Sequence, residues 1–203
     1  AASSSKLSDP PEAKAQVVAK AKAKVTFLKA VTVGTDCSGM ESPILAMRKL
    51  KVGIDHAFSC DIDPVAVKTI KVNSNPKHLY PDLEKRDNST TPTVDIYVAG
   101  FPCQPFSQAG LQKGENDKRG TLFYNILDYI KQQKPKIFIL ENVKGFTLLE
   151  KGKYVRKAVS MLRGIKEPLR DKAGRLTPTY DVYHDILDTS EHGLPHRRPR
   201  WYC

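Results

Sequence analysis

No stretch of this sequence approaches the ~20 consecutive apolar residues that a bilayer-crossing helix needs, and none has the short apolar core and small-residue cleavage site of a secretory signal. Both absences point to a soluble, intracellular protein. Cysteine is scarce as well: Cys37, Cys60, Cys103 and Cys203 are the only four. They are widely spaced, form no CxxC pair and have no histidine at ligand spacing, so neither a disulfide framework nor a zinc site is expected, and no metal is required. Reduced thiols suit the cytoplasm or the nucleus.

The first 24 residues contain only two acids, Asp9 and Glu12, and the chain has no arginine before Arg48 and no initiator Met. The missing Met is what a processed or excised piece would show. Residues 1–24, rich in Ala, Ser and Lys around Pro10-Pro11, read as a flexible leader that could support a short helix over 12–24. Organellar transit peptides are usually rich in arginine, so the shortage counts against one, while an organellar location stays open beside nucleus and cytoplasm. Residues 25–203 are long enough for one domain with a real core.

What is abundant is positive charge. With 33 Lys and Arg against 22 Asp and Glu, the formal charge is +11, and such a surplus on a small domain favours polyanionic partners. Charge alone does not separate DNA from RNA.

The apolar pattern is that of an α/β chain. VTVGT (31–35) reads as a first strand, and Ser42 and Pro43 as the cap and first residue of a helix to about Lys49. Residues 54–60 read as a second strand ending at Asp61, and Asp63-Pro64 opens a helix to about Val72. Strand, small-residue turn, helix, strand and terminal acid make a βαβ unit of the nucleotide-binding kind, with Gly39 and Asp61 22 residues apart. A short third strand is expected near 82–86, a fourth at 94–98 ending at Gly100, and an amphipathic helix over 121–134. KIFIL (136–140) reads as a fully buried fifth strand, followed by a helix over 153–163, a hairpin or loop over 164–178, and strands at 180–187 and 200–203. About seven strands in a mostly parallel sheet follow, with helices on both faces.

Gly100, Pro102, Pro105 and Gly110 forbid a regular helix after the fourth strand, so Cys103 is delivered on a rigid loop at a strand end. The string PCQPFS after an apolar strand closely resembles the catalytic loop of the cytosine-C5 DNA methyltransferases. Four more segments follow in that family's order. The 34–39 turn, GTDCSG, stands where the family has Phe-x-Gly-x-Gly-Gly and keeps only the last glycine; Asp61-Ile62 follows, then ENV at 141–143, and GLPHRRPRWY at 193–202, where His196 replaces the family's glutamine.

The resemblance implies a Rossmann-like core that uses S-adenosylmethionine, with Cys103 as nucleophile on a cytosine flipped out of double-stranded DNA and Glu141 at the ring nitrogen. Arg200 would hold the base O2, and Arg198 would support the loop. It further implies a cofactor site of Thr35, Asp36, Cys37, Ser38, Gly39, Asp61 at the ribose, Ile62 on the adenine face, Asp87 at the adenine amino group, Gly100, Pro102 and Asn142. Ser107, Gln108 and Lys113, on a loop expected to close over the nucleic acid, are its nucleic-acid contacts, or else parts of an ordinary solvated loop. A target-recognition region is expected C-terminal to the chain, supplied in cis or in trans. Two alternatives share these motifs: a transfer-RNA cytosine methyltransferase, and a non-enzymatic cofactor-binding or regulatory module.

Overall fold

The structure, a computed structural model, describes residues 30–102, 121–170, 174 and 176–203. Strands β1 (Val31–Asp36), β2 (Ile54–Cys60), β3 (His78–Tyr80), β4 (Ile96–Gly100) and β5 (Ile137–Val143) alternate with helices α1 (Ser42–Lys49), α2 (Pro64–Asn73) and α3 (Thr121–Gln133). Helix α4 (Lys153–Arg163), a separate antiparallel hairpin of β6 (Lys166–Arg170) and β7 (Leu176–Pro178), and strands β8 (Asp185–Asp188) and β9 (Pro199–Tyr202) complete the order. The main sheet has seven strands in the order β3-β2-β1-β4-β5-β9-β8. All neighbours pair in parallel except β9, which is antiparallel to both β5 and β8. None of the described helices is long and apolar enough to cross a membrane.

The sheet grows leftwards from β1 to β3 and rightwards from β4 to β5. Right-handed crossovers therefore send α1 and α2 to one face and α3 to the other. The larger core lies on the α3 and α4 face, where Phe58, Tyr97, Leu140 and Trp201 meet Ile126, Ile130, Ala158 and Leu162. Gly34 is required beneath it, because a Cβ there would fall 2.2 Å from the Phe58 ring.

The fifth strand departs from expectation. Phe138, Leu140 and Asn142 face this core, whereas Ile137 and Ile139, on the opposite face, are 53% and 36% exposed. Among the described residues, α1 and α2 cover only the β1–β3 half of that face, so an uninterrupted apolar run is here a strand buried on one side.

Other boundaries shift for local reasons. Glu41, with φ 60° and ψ 44°, occupies the cap position of α1, and Ser42 is already helical. Asp63 caps α2, its carboxylate accepting from the Val65 and Ala66 N–H groups at 2.6 and 3.2 Å. The third strand is His78–Tyr80 rather than 82–86, because the Asp82 carboxylate accepts the Glu84 N–H at 2.9 Å and folds that segment into a turn. Residues 180–184 stay outside the ladder, pinned instead by side chains: Tyr180 Oη donates to the Pro135 carbonyl (2.7 Å) and Arg163 to that of Val182 (2.9 Å).

Asp95 clamps β1 to the segment entering β4. Its carboxylate accepts from Thr32 N–H and Oγ1 at 2.9 and 2.8 Å and lies 2.6 Å from Lys136 Nζ. The hydrogen bond from Lys136, with those from Thr32, holds this carboxyl well below the usual carboxylate range. A depressed folded-state pKa contributes stability that is present above the unfolded value, near 4, and is lost as pH falls through the folded one. Asp95→Asn is expected to lower stability by roughly 1 to 2 kcal/mol at pH 7. The difference from the unsubstituted protein should shrink as pH is taken below about 4, as read from urea midpoints across that range.

Candidate active site

The order of strands reverses between β1 and β4, and in open α/β sheets such a switch point leaves a crevice beyond the carboxyl ends of the strands. A cavity of about 540 Å³ lies there, lined by Cys37, Cys60, Asp61, Ile62, Asp82, Leu83, Glu84, Gly100, Pro102 and Leu122. Five residues expected at a cofactor site from sequence are in this wall: Cys37, Asp61, Ile62, Gly100 and Pro102.

Asp61 closes β2. One of its oxygens accepts the Gly39 N–H at 2.7 Å and the other the Asp63 N–H at 2.9 Å. Each carboxylate oxygen has a second lone pair, so the group can still accept hydroxyl donors from the cavity. Ile62 is 75% exposed at the rim, offering an apolar platform to a flat ring. The turn before it is tied down by Ser38, whose N–H donates to the Cys60 carbonyl at 3.1 Å while its Oγ accepts the Cys60 N–H at 3.1 Å. Gly39 has φ 54°, a left-handed conformation that suits glycine.

Some expected residues stand elsewhere. Asp36 is completely buried, and its carboxylate is taken by Arg86, by Nη1 at 2.5 Å and Nη2 at 2.7 Å, and by the Tyr97 hydroxyl. It therefore braces the floor rather than facing a ligand. Thr35 points its hydroxyl to the buried Glu41 at 2.7 Å. Asp87 is exposed and accepts from the Ser89 N–H and hydroxyl at 2.9 and 2.7 Å, holding its own turn. The acidic residues that this segment brings to the cavity wall are Asp82, two residues after β3, and Glu84. The signal was the rule already used for Asp61, an acid just past a strand end, applied to a strand placed four residues too late.

On the other side of β4, Gly100 is paired with Glu141 of β5. A Cβ on Gly100 would stand 3.4 Å from Glu141 Oε2, so glycine admits the carboxylate close against the strand that leads to Pro102 and Cys103. Arg200 on β9 meets the same carboxylate, Nε to Oε1 at 2.9 Å. Antiparallel pairing of β9 with β5 places it there, opposite Val143. Asn142 lies on the core face and donates to the Phe101 carbonyl at 3.1 Å, anchoring the loop that follows β4. It is thus a loop anchor and does not line the cavity.

The arginine segment is braced by Asp188, which sequence reading overlooked. Asp188 Oδ1 accepts from Ser190 N–H and from Arg198 N–H, both at 3.1 Å, and Thr189 Oγ1 donates to the His196 carbonyl at 2.7 Å. Arg198 is fixed through its backbone, and the residue as a whole is exposed. Cys103, Ser107, Gln108 and Lys113 lie outside the described residues.

The described thiols are poor nucleophiles. Burial first, and the Asp36 and Asp61 carboxylates second, push Cys37 up to about 12. Burial pushes Cys203 up to about 11 and Cys60 higher still. All three stay protonated at neutral pH.

A mostly parallel sheet of this order, with an acid closing β2 and a cavity at its switch point, defines a Rossmann-like methyltransferase fold. The chain belongs to the C-5 cytosine-specific DNA methylase family, whose model matches residues 37–203. It is 39% identical over 145 residues to the type II methyltransferase M.NlaX of Neisseria lactamica, covering 71% of this chain and 42% of that protein. With M.HaeII of Haemophilus aegyptius it shares 40% identity over 150 residues, 74% of this chain and 43% of the relative. The chain thus spans less than half the length of these relatives. The Dnmt2 methyltransferase of S. pombe has the same fold, with a TM-score of 0.67 over 85% of this chain and 49% of that one at 23% identity.

Proposed function

We propose that this chain is the catalytic core of a DNA cytosine-C5 methyltransferase that uses S-adenosylmethionine and works with a target-recognition region supplied in cis or in trans. The observation that carries the reading is the pairing of two half-sites across β4: the Asp61–Ile62–Asp82 cavity on one side and the Gly100–Glu141–Arg200 cluster on the other. β4 runs between them, and Cys103 follows Pro102 in the sequence.

The cavity residues fit the cofactor. Asp61 has lone pairs left for ribose hydroxyls, Ile62 offers an otherwise unexplained apolar face to the adenine, and Asp82 can accept from its amino group. When bound, S-adenosylmethionine supplies the methyl group as an electrophile on sulfur.

The protein's part begins with a base taken out of the duplex, since C5 and C6 are inaccessible in the stack. Cys103, as thiolate, adds to C6 and forms the C–S bond, and the electron pair of the C5–C6 double bond moves onto the ring, where Glu141 hydrogen-bonds N3 as its acid. Arg200, already on Glu141, holds that carboxyl in place and reaches the base O2. After methylation, a water molecule takes the C5 proton, the C–H electron pair re-forms the C5–C6 double bond, and the Cys103 sulfur leaves C6 with its bonding pair as a thiolate.

Asp61→Ala is expected to weaken S-adenosylmethionine binding by about 1.5 to 3 kcal/mol, the range for hydrogen bonds to a charged group. Asp82→Ala should weaken it in the same direction, and Asp87→Ala should leave it unchanged. Calorimetric affinities test all three, and an effect at Asp87 with none at Asp82 would reverse the assignment. Methyl incorporation into duplex DNA and transfer RNA, assayed in parallel, tests the substrate.

A further inference from the structure

We propose that Glu41 is a positioning residue for the cofactor turn, fixing the backbone of residues 37–39. The proposal deepens the cofactor reading above and rests on it. Its starting point is a conflict. Glu41 has φ 60°, a conformation glycine takes freely and a branched backbone does not. It is also fully enclosed, with relative exposure of 0%.

A carboxylate in such a place is held by donors from two strands. Glu41 Oε1 accepts from Thr35 Oγ1 on β1 at 2.7 Å and from Ser59 Oγ on β2, and lies 3.4 Å from His56 Nε2. Its N–H donates to the Ser38 carbonyl at 2.9 Å, and its own carbonyl accepts the Leu45 N–H of α1 at 3.0 Å. One residue therefore joins both strands, the turn and the following helix.

Counting protons shows what the carboxylate does. Thr35 and Ser59 each have a single hydroxyl proton, and both are directed at Glu41. Ser38 Oγ, 2.8 Å from Thr35 Oγ1, is then the donor between those two, its one proton going to Thr35 Oγ1 rather than to the Thr35 and Cys60 carbonyls 3.1 Å away. Likewise His56 Nε2, 3.0 Å from Ser59 Oγ, must carry the proton it shares with Ser59. Ser38 is the residue that binds both backbone groups of Cys60, its N–H donating to the carbonyl and its Oγ accepting the N–H, so Glu41 Oε1, by accepting from Thr35 and Ser59, orients the chain of hydroxyls that locks the turn onto β2. The turn in its locked form puts the Gly39 N–H on Asp61 and Cys37 in the cavity wall.

Stability alone does not explain the arrangement. Among the described residues, Glu41 Oε2 and His56 Nδ1 are buried without a hydrogen-bond partner, and a buried carboxyl group with an unmet oxygen is no more stable than an apolar replacement of similar volume. What the carboxylate supplies, and an apolar side chain does not, is direction to three hydroxyls.

The test uses the 203-residue chain, with S-adenosylhomocysteine and adenosine as calorimetric probes. With adenine on Ile62 and ribose on Asp61, the homocysteine end extends towards the turn. Glu41→Gly keeps the backbone conformation accessible and removes the acceptor. It should weaken S-adenosylhomocysteine about tenfold or more while changing adenosine by less, so that the affinity ratio falls. Glu41→Gln, which keeps an acceptor oxygen, should restore most of the ratio, and Ser59→Ala should lower it partway. A purely structural role would shift the unfolding midpoint and leave the ratio of the folded protein as it was, which would overturn the proposal. No binding of either probe by the unsubstituted chain would sink the cofactor reading itself, and the proposal with it.

Discussion

Cys103→Ser is expected to abolish covalent capture of duplex DNA carrying 5-fluorocytosine at the target position. Fluorine cannot leave C5 as a proton does, so the enzyme stalls with the Cys103–C6 bond intact, and the adduct survives denaturing electrophoresis. Serine has nearly the shape of cysteine, but its hydroxyl is a far weaker nucleophile at neutral pH than a thiolate. The loss should be complete. The three other cysteines serve as internal controls: burial keeps Cys37, Cys60 and Cys203 protonated, so none can substitute. Glu141→Gln should slow adduct formation by roughly 10² to 10⁴, the usual range for a positioned acid. Arg200→Met, which frees Glu141 from its 2.9 Å partner, should slow it in the same direction. Because the match covers only 42% and 43% of these relatives, the assay belongs on the protein extended to their length. An adduct persisting in Cys103→Ser would refute the nucleophile assignment.

The sequence made the strands and helices around β1, β2, α2, α3 and α4 legible because each has a single strong local signal. Asp63-Pro64 fixes where α2 begins, and the 3.6-residue period fixes α3 and α4. It also marked Glu141 and Arg200 as candidate site residues, through the motif frames in which they fall. Their direct contact was not legible, because it depends on β9 pairing antiparallel with β5. Tertiary choice defeated local reading elsewhere. Asp82, a turn-forming acid, competes with strand formation and moves β3 upstream, so that Asp82 and Glu84, rather than Asp87, are the acids that this segment brings to the cavity wall. Asp36 sits in the nucleotide-binding turn by sequence. Strand alternation nevertheless turns its side chain into the core, where Arg86, 50 residues away, claims it.

That buried pair underlies the largest stability effect expected. Arg86 and Asp36 have side-chain exposures of 1% and 0%. Tyr97 Oη gives Asp36 a third donor, and Asn88 Oδ1 accepts from Arg86 Nε and Nη2 at 3.2 and 3.1 Å. The guanidinium also lies 5.0, 5.4 and 5.3 Å from the ring centres of Phe58, Tyr80 and Tyr129, which hold the cation within an aromatic box. Burial opposes the charge on Arg86, but the facing Asp36 carboxylate outweighs it and raises the guanidinium pKa, so the cation stays charged. Arg86→Met removes the cation that faces Asp36 and leaves a carboxylate stranded in an apolar core, which costs about 3 to 5 kcal/mol. For a domain of this size that lowers the melting temperature by roughly 6 to 20 °C. Adding Asp36→Asn to Arg86→Met should recover part of the loss, because an amide is easier to bury than an unpaired carboxylate. The double-mutant cycle, read from urea midpoints, should therefore show strong coupling. Additive losses would mean that the two side chains act separately and that the aromatic box, not the ion pair, holds this part of the core.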